Sequence, residues 1–199
     1  MDWGLDGLVR LAQPDVVVVV DVLRFSTTVI RALENGDAFP LDAAAHAVSV
    51  NGAAVAEAAG RAGSLVLLGG LRNATAVART VYAEQERRGA RTSIAIVACG
   101  ELTGRAADAH LRFAVEDQLG AGAIVDALGT LGIDHTSPEA AVAGESFRAL
   151  SRAARHLVTA SGSGRELADA GRVDEVVAAA AVDAASVVPV LRGGLFRAF

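Results

Sequence analysis

The sequence predicts an α/β fold, a three-layer α/β/α arrangement in which a mostly parallel central sheet lies between helices. The strongest observation is a run of five valines at residues 16–20, which has high strand propensity and no polar face. Such a run is typical of a central parallel strand that helices cover on both sides. A second observation is that apolar runs alternate with alanine-rich stretches, which predicts βαβ units.

The individual elements follow from the same two patterns. The predicted strands are residues 16–20, 65–68, 94–98 and, more weakly, 187–191. The predicted helices are residues 29–36, 75–88, 115–128, 138–157 and 165–170. At 199 residues the chain is expected to form one domain spanning residues 1–199. Aromatic residues are only 4% of the chain, so we expect a core of Val, Leu, Ala and Ile with closely packed helices.

The composition argues against several kinds of chemistry. A single cysteine, Cys99, excludes an internal disulfide, and the four histidines are scattered, so a bound metal would have oxygen ligands. All 18 basic residues are arginine, which excludes a Schiff-base or Walker-type lysine. An anionic substrate must therefore be bound by arginine, backbone amides or a cation.

Charge and hydropathy limit the partners. The net charge of −5, with no basic cluster, argues against a nucleic acid as the main partner. No apolar run approaches the roughly 20 residues that a membrane-spanning helix needs. The first six residues carry acidic side chains and lack the basic lead of a secretory signal. We therefore expect a cytoplasmic protein with no membrane partner.

Polar residues gather directly after the valine strand. Asp21 is expected near the carboxyl end of this strand, and ligands of open α/β sheets bind just outside such ends. The following residues Arg24, Ser26, Thr27 and Thr28 are therefore candidate site residues. Ser26 or Thr27 is also a candidate cap for the next helix.

A second group of polar residues is acidic. Glu101 follows the strand at 94–98, and the adjacent pair Glu116 and Asp117 opens a predicted helix. Carboxylates near a strand end can bind Mg²⁺, which takes one or two of them together with water and substrate phosphate. The alternative is that Glu116 and Asp117 only stabilise the helix N-terminus through its dipole.

Three further segments contain weaker candidates. The Gly/Ser-rich turn before Arg165 favours an anion, or else Ser163 and Glu166 form an ordinary capping box. Asn51 belongs to an Asn–Gly pair that first indicates a tight turn. Arg72 and Asn73 follow a glycine pair at a strand end, where Arg72 either points to the site or belongs to a simple strand-to-helix connection.

Taken in order, these motifs resemble the 2-phosphosulfolactate phosphatase family. The matching segments are residues 21–28, 51–52, 71–78, 99–101, 111–117 with 120–122, 163–167 and 188–190. The resemblance implies an α/β/α fold and a Mg²⁺-dependent phosphatase that converts 2-phospho-3-sulfolactate to 3-sulfolactate and phosphate, a step of coenzyme M biosynthesis. It also implies a homodimer.

Roles for the candidate residues follow from this resemblance. Asp21, Glu116 and Asp117 are expected to hold Mg²⁺, while Asp21, Glu101 and Ser26 are the expected catalytic residues. Whether Asp21 or Glu101 is a ligand or a proton-transfer group stays open. The expected substrate-binding residues are Arg24, Thr27, Thr28, Asn51, Arg72, Asn73 and Arg165.

Two features depart from the family pattern. Residues 40–51 leave no room for a segment of some tens of residues that family members usually carry. Ala53–Ala54 follow Asn–Gly where the family usually has Thr or Ser, often with an arginine after it. One alternative is therefore a catalytically impaired paralogue that binds a small anion or acts as a scaffold. Another is an enzyme acting on a different phosphorylated hydroxy acid.

Overall fold

A computed structural model describes residues 1–49, 51–104 and 109–199 and contains a seven-stranded sheet with helices on both faces. The strands are β1 (Asp2–Trp3), β2 (Val16–Val20), β3 (Phe39–Pro40), β4 (Leu65–Gly69), β5 (Ile94–Ala98), β6 (Glu101–Leu102), β7 (Leu111–Arg112), β8 (Pro189–Arg192) and β9 (Leu195–Ala198). The main sheet has the order β1-β5-β2-β4-β8-β9-β3, and β6 pairs with β7 separately.

The helices surround this sheet and account for most of the regular structure. They are α1 (Gly4–Arg10), α2 (Phe25–Glu34), α3 (Ala43–Val48), α4 (Gly52–Arg61), α5 (Ala74–Arg88), α6 (Val115–Thr130), α7 (Pro138–Leu150), α8 (Ala154–Ala160), α9 (Gly162–Asp169) and α10 (Val173–Ala179). The predicted α/β class with layers of helices around a mostly parallel sheet is confirmed. Within the described residues, no helix has both the length and the apolar character needed to cross a membrane.

The valine strand β2 is the centre of the sheet, as its sequence predicts. It pairs in parallel with β4 on one side and β5 on the other, and all five valines are completely buried. Val16, Val18 and Val20 face one core, packed by α5, α6 and α7, while Val17 and Val19 face the other, packed by α2 and α4. Complete burial of one such side chain stabilises the fold by about 1.5–3 kcal/mol.

The side of the sheet beyond β4 differs from a simple parallel arrangement. The strands β8, β9 and β3 continue the sheet in antiparallel pairs, and only β8 corresponds to a predicted strand. The short strands β1, β3 and β9 and the helices α1, α3, α4 and α10 have no counterpart in the prediction. The elements of two to seven residues are too short for a periodic pattern to stand out, whereas α4 is missed because the Asn–Gly pair at its start first indicates a turn.

The predicted helices agree with the structure to different degrees. Helices α5 and α6 match closely, whereas the predicted helix at 138–157 is divided into α7 and α8 by a single 3₁₀ turn at Ser151–Ala153. The Ser151 hydroxyl donates to the Arg148 carbonyl at 3.2 Å, a local bond that competes with continued helix. The close approach of α6 and α7 requires Gly122, because a Cβ there would lie 2.2 Å from the Ala143 carbonyl oxygen.

An ionic network fixes the C-terminal end of α5 to the start of the sheet. Glu84 accepts bonds from Arg87 at 2.6 and 2.7 Å and from Arg88 at 3.0 Å. Arg88 also pairs with Asp15, which accepts from the Ser93 backbone amide at 2.8 Å. The hydrogen bonds from Arg87, with those from Arg88, lower the pKa of Glu84 to about 2 from its ordinary value of 4.5.

Glu84→Gln is expected to lower the free energy of unfolding by about 1 kcal/mol at neutral pH, after allowance for solvent screening. A depressed pKa stabilises the fold fully above pH 4.5, and this stabilisation is lost as pH falls through about 2. In urea unfolding, the difference in unfolding free energy between Glu84→Gln and wild type should therefore become smaller as the pH is lowered from 7 to 3. Glu86→Gln, on an exposed position of the same helix, is the matched control. An equal loss for both variants, or one independent of pH, would contradict the network.

Candidate active site

Polar side chains gather at the carboxyl ends of β2 and β5, the edge at which α/β proteins bind ligands. A cavity of about 340 Å³ opens there between the segments that follow β2, α3 and β5 and the start of α9. Its polar wall consists of Asp21, Arg24, Ser49, Asn51, Glu101, Ser163 and Glu166.

Asp21 lies at the base of this cavity, only 8% exposed. One carboxylate oxygen, Oδ1, accepts from the Phe25 amide at 3.1 Å, and Oδ2 accepts from the Ser49 hydroxyl at 3.0 Å. Because Phe25 is the first residue of α2, Asp21 satisfies a free amide at the start of that helix. The predicted cap by Ser26 or Thr27 is therefore wrong, and the helix begins earlier than its apolar pattern indicates.

Ser26 and Thr27 instead hold the backbone around Asp21. The Ser26 hydroxyl accepts from the Asp21 amide at 3.1 Å and donates to the Val19 carbonyl at 3.3 Å. The Thr27 hydroxyl donates to the Val22 carbonyl at 2.8 Å. Both side chains are buried and neither lines the cavity. The structure thus places the expected catalytic Ser26 in a supporting position.

Asp117 joins two loops of the site from below. Its Oδ1 accepts from the Val22 amide at 2.7 Å and its Oδ2 accepts from the Gly100 amide at 2.8 Å. Both carboxylate oxygens are therefore engaged by backbone, and the residue is 3% exposed. This arrangement fits a loop clamp better than the metal ligand expected from the sequence. The bonds of Asp117 also reach two other segments of the chain. Its role is therefore larger than the stabilisation of the helix N-terminus that was the alternative from the sequence.

The site contains four acidic side chains whose charges interact: Asp21, Glu101, Glu116 and Asp117. Burial raises the pKa of Asp21, Asp117 and Glu101, and the negative charge of Glu116 raises each of them further. Glu116 is 2% exposed, and no hydrogen bond links its carboxylate to another described residue. No arginine of the described chain forms an ion pair with any of the four. Burial without an ion pair therefore favours the protonated forms of Asp21, Asp117 and Glu101, and a bound cation would reverse that effect.

Such a site suits a divalent cation by its donor chemistry. Magnesium needs only one or two carboxylates, with water and substrate oxygens completing its shell. Among the described residues, no three His, Cys, Asp or Glu side chains are already arranged around a common metal position. Asp21, which lines the cavity, and Glu116, whose carboxylate has no hydrogen bond to a described residue, are the residues that fit such an ion.

The Asn–Gly pair forms the opposite side of the cavity. Asn51 precedes α4, and its amide donates to the Gly100 carbonyl at 2.6 Å. Gly52 begins the helix, so the pair is a helix start rather than the tight turn considered from the sequence. Ser49 was missed in the sequence, although a hydroxyl residue shortly before Asn–Gly was an available signal. Its hydroxyl contacts Asp21 and accepts from the Ala53 amide at 3.2 Å.

Glu101 is held by the start of α9. The Ser163 hydroxyl donates to Glu101 Oε1 at 2.8 Å. The cap of α9 is Ser161, which accepts from the Gly164 amide at 3.0 Å, so the proposed capping box of Ser163 and Glu166 is wrong. Ser163 is thereby a site residue. Arg165 is exposed and is not part of the cavity wall.

Arg72 and Asn73 have structural partners away from the cavity. Arg72 donates to the Ala178 carbonyl at 2.9 Å and forms an ion pair with Glu34 at 3.0 Å. Asn73 is fully buried; its side chain accepts from the Gly70 amide at 3.1 Å and donates to the Val187 carbonyl at 3.0 Å. The structure thus favours a structural role for both residues in the connection between β4 and α5. Their side chains bond to other parts of the protein and do not line the cavity.

Fold and site together define an α/β protein with an acidic cavity at the carboxyl edge of its sheet and with one arginine, Arg24, among the described residues of the wall. The model of the 2-phosphosulpholactate phosphatase family matches residues 42–194 of the 199-residue chain. The chain belongs to this family, and it is a phosphatase of the phosphoric monoester hydrolase class.

Gly52→Ala is expected to displace the Asp21 carboxylate, since the new Cβ would lie 2.5 Å from its Oδ2 and 2.8 Å from the buried Phe25 ring. We expect a loss of about 1–3 kcal/mol in unfolding free energy and a loss of phosphate-releasing activity. Gly129→Ala, with open space around it in α6, is the control and should be neutral or stabilising by up to about 1 kcal/mol. Urea unfolding measures the stability of both variants, and phosphate release measures their activity. Full activity of Gly52→Ala would show that Asp21 need not stay in place.

Proposed function

We propose that this protein hydrolyses 2-phospho-3-sulfolactate, or a similarly small phosphorylated hydroxy acid, to the free hydroxy acid and phosphate with Mg²⁺ as its cofactor. Family membership supports the phosphatase chemistry. The observation that carries the proposal is the group of four acidic side chains at and beneath the cavity, none of which forms an ion pair with a described arginine. A doubly anionic ester would be repelled by such a site unless a cation were bound there.

We propose that Asp21 and Glu116 hold the magnesium ion, and that Asp117 fixes the loops on which they depend. A bound Mg²⁺ supplies charge neutralisation at the phosphoryl oxygens and lowers the pKa of water. The absence of lysine makes this contribution more important, because the chain lacks the ammonium group that many phosphate sites use.

The remaining wall residues suit binding and proton transfer. Arg24 presents a guanidinium group that can bind two oxygens of a phosphate or sulfonate. Glu101, held by Ser163, faces the cavity where its carboxyl group can exchange a proton with the leaving alcohol oxygen. Asn51 borders the same space and keeps the Glu101 loop in place through Gly100.

Two further parts of the proposal rest on sequence alone. Cytoplasmic location is a prediction from the composition of the chain. A homodimer is inferred from the family resemblance. Both stay predictions.

Asp21→Asn is expected to abolish Mg²⁺-dependent phosphate release from 2-phospho-3-sulfolactate, because the neutral amide attracts the ion far less strongly. Wild type should release phosphate with Mg²⁺ and fall to background with EDTA. Phosphate release from phospholactate and from a 5′-nucleotide measures substrate selectivity. Glu86→Gln is the control variant. Circular dichroism shows whether each variant is folded. Unchanged activity in Asp21→Asn would refute the site assignment.

The same experiment separates the impaired-paralogue alternative, which the short connection between β3 and α4 favours. Sulfolactate or phosphate binding by calorimetry, with no ester hydrolysed by the folded wild type, would support a binding protein. Release from other phosphorylated hydroxy acids but not from the sulfonate would change the substrate and keep the reaction.

A further inference from the structure

A second cavity of about 260 Å³ lies directly beside the active cavity. The two share Leu23 and Arg24 in their walls. The other wall residues come from α2 and from the beginning of α10, among them Thr28, Arg31 and Arg172. Thr28, expected from its sequence position in the substrate site, therefore lines this second cavity instead.

The charge of the second cavity is opposite to that of the first. Its wall contains three arginines, Arg24, Arg31 and Arg172, and a single carboxylate, Glu175. This excess of positive charge stands out in a chain whose net charge is −5. Burial lowers the pKa of Arg24, and the positive charge of Arg172 lowers it further. Arginines held near one another repel, and a bound anion relieves that repulsion.

The arginines of this cavity also have free donors. Arg172 is bound by Glu175 through two hydrogen bonds of 2.8 and 2.6 Å. The side chains of Arg24 and Arg31, in contrast, make no hydrogen bond or ion pair with any residue that the structure describes. Guanidinium groups bind phosphate and sulfonate oxygens in pairs of parallel bonds.

We propose that this cavity binds a tetrahedral oxyanion, the phosphate or sulfonate class, between Arg24, Arg31 and Arg172. The Thr28 hydroxyl, which makes no side-chain bond to a described residue, is a further donor at the wall. A space of about 260 Å³ accommodates one such group with several waters, since each water occupies about 30 Å³. This binding site does not depend on the phosphatase reaction proposed above.

The anion has two possible sources that share this chemistry. It is either a free inorganic anion or the second anionic end of an ester bound in the active cavity. Arg24 belongs to both walls, so an anion in the second cavity contacts a residue of the first.

The first test is calorimetric titration of metal-free protein with sulfate in EDTA, at ionic strength matched with chloride. Arg31 and Arg172 line the second cavity and not the active cavity, so their variants report binding in the second cavity. We expect one saturable site per chain. Its affinity for sulfate should fall about tenfold in Arg31→Gln and about tenfold in Arg172→Gln. Arg61→Gln, an exposed arginine on α4, is the matched control and should bind as wild type does.

Glu175→Gln gives a prediction that a merely structural role would not produce. It removes the single negative charge of the wall and releases Arg172, so sulfate should bind more tightly than in wild type, by about tenfold at most. Circular dichroism establishes that each variant is folded. Absence of saturable sulfate binding in folded wild type, unchanged binding in Arg31→Gln, or weaker binding in Glu175→Gln would each overturn the proposal.

Kinetics with sulfate then distinguish the two sources. If the second anionic end of the ester occupies the cavity, sulfate should raise KM for 2-phospho-3-sulfolactate without changing kcat, and Arg31→Gln should raise KM as well. If the cavity takes a free anion, Arg31→Gln should leave the KM measured without sulfate unchanged. Sulfate binding in a protein that hydrolyses no ester would support this site while refuting the proposed reaction.

Discussion

The buried carboxylate of Asp117 is the interaction on which the geometry of the site depends. It accepts one backbone amide from the loop after β2 and one from the loop after β5. Those two loops carry Asp21 and Glu101. A buried carboxylate with both oxygens bonded resists displacement, because either amide would otherwise be left without a partner in the interior. The separation of the acidic residues is thus set by one side chain at the start of α6.

That clamp is effective because α6 lies unusually close to the sheet. Gly120 permits the approach, since a Cβ at this position would lie 2.8 Å from Val22 and 3.0 Å from Val20. Gly69 plays the same part from β4, where a Cβ would lie 2.7 Å from Ile124. The glycines therefore have a functional consequence, because a more distant helix would carry Asp117 out of reach of the two amides.

Acidic and basic side chains lie on opposite sides of the loop after β2. On one side lie four acidic residues, three of them buried, and on the other lie three arginines around a second cavity, with Arg24 at the boundary. Opposite potentials in neighbouring cavities suit a small ligand with two anionic groups, one bound through a cation and one bound by guanidinium. The same division keeps the arginines from neutralising the acids, which preserves the site for an ion.

The sequence by itself determined the α/β class, the central strand β2 and the helices α5 and α6, because their apolar patterns are long and local. It also indicated that Asp21, Arg24 and Glu101 gather at one edge, since the carboxyl ends of parallel strands meet there. Only the tertiary structure decided which polar groups face the cavity. Ser26, Arg72 and Asn73 are bonded to backbone or to an acidic residue elsewhere, whereas Ser49 and Ser163 reach the acidic residues from distant segments. The physical reason is that a hydrogen bond depends on where two segments meet in space, and local sequence patterns do not carry that information.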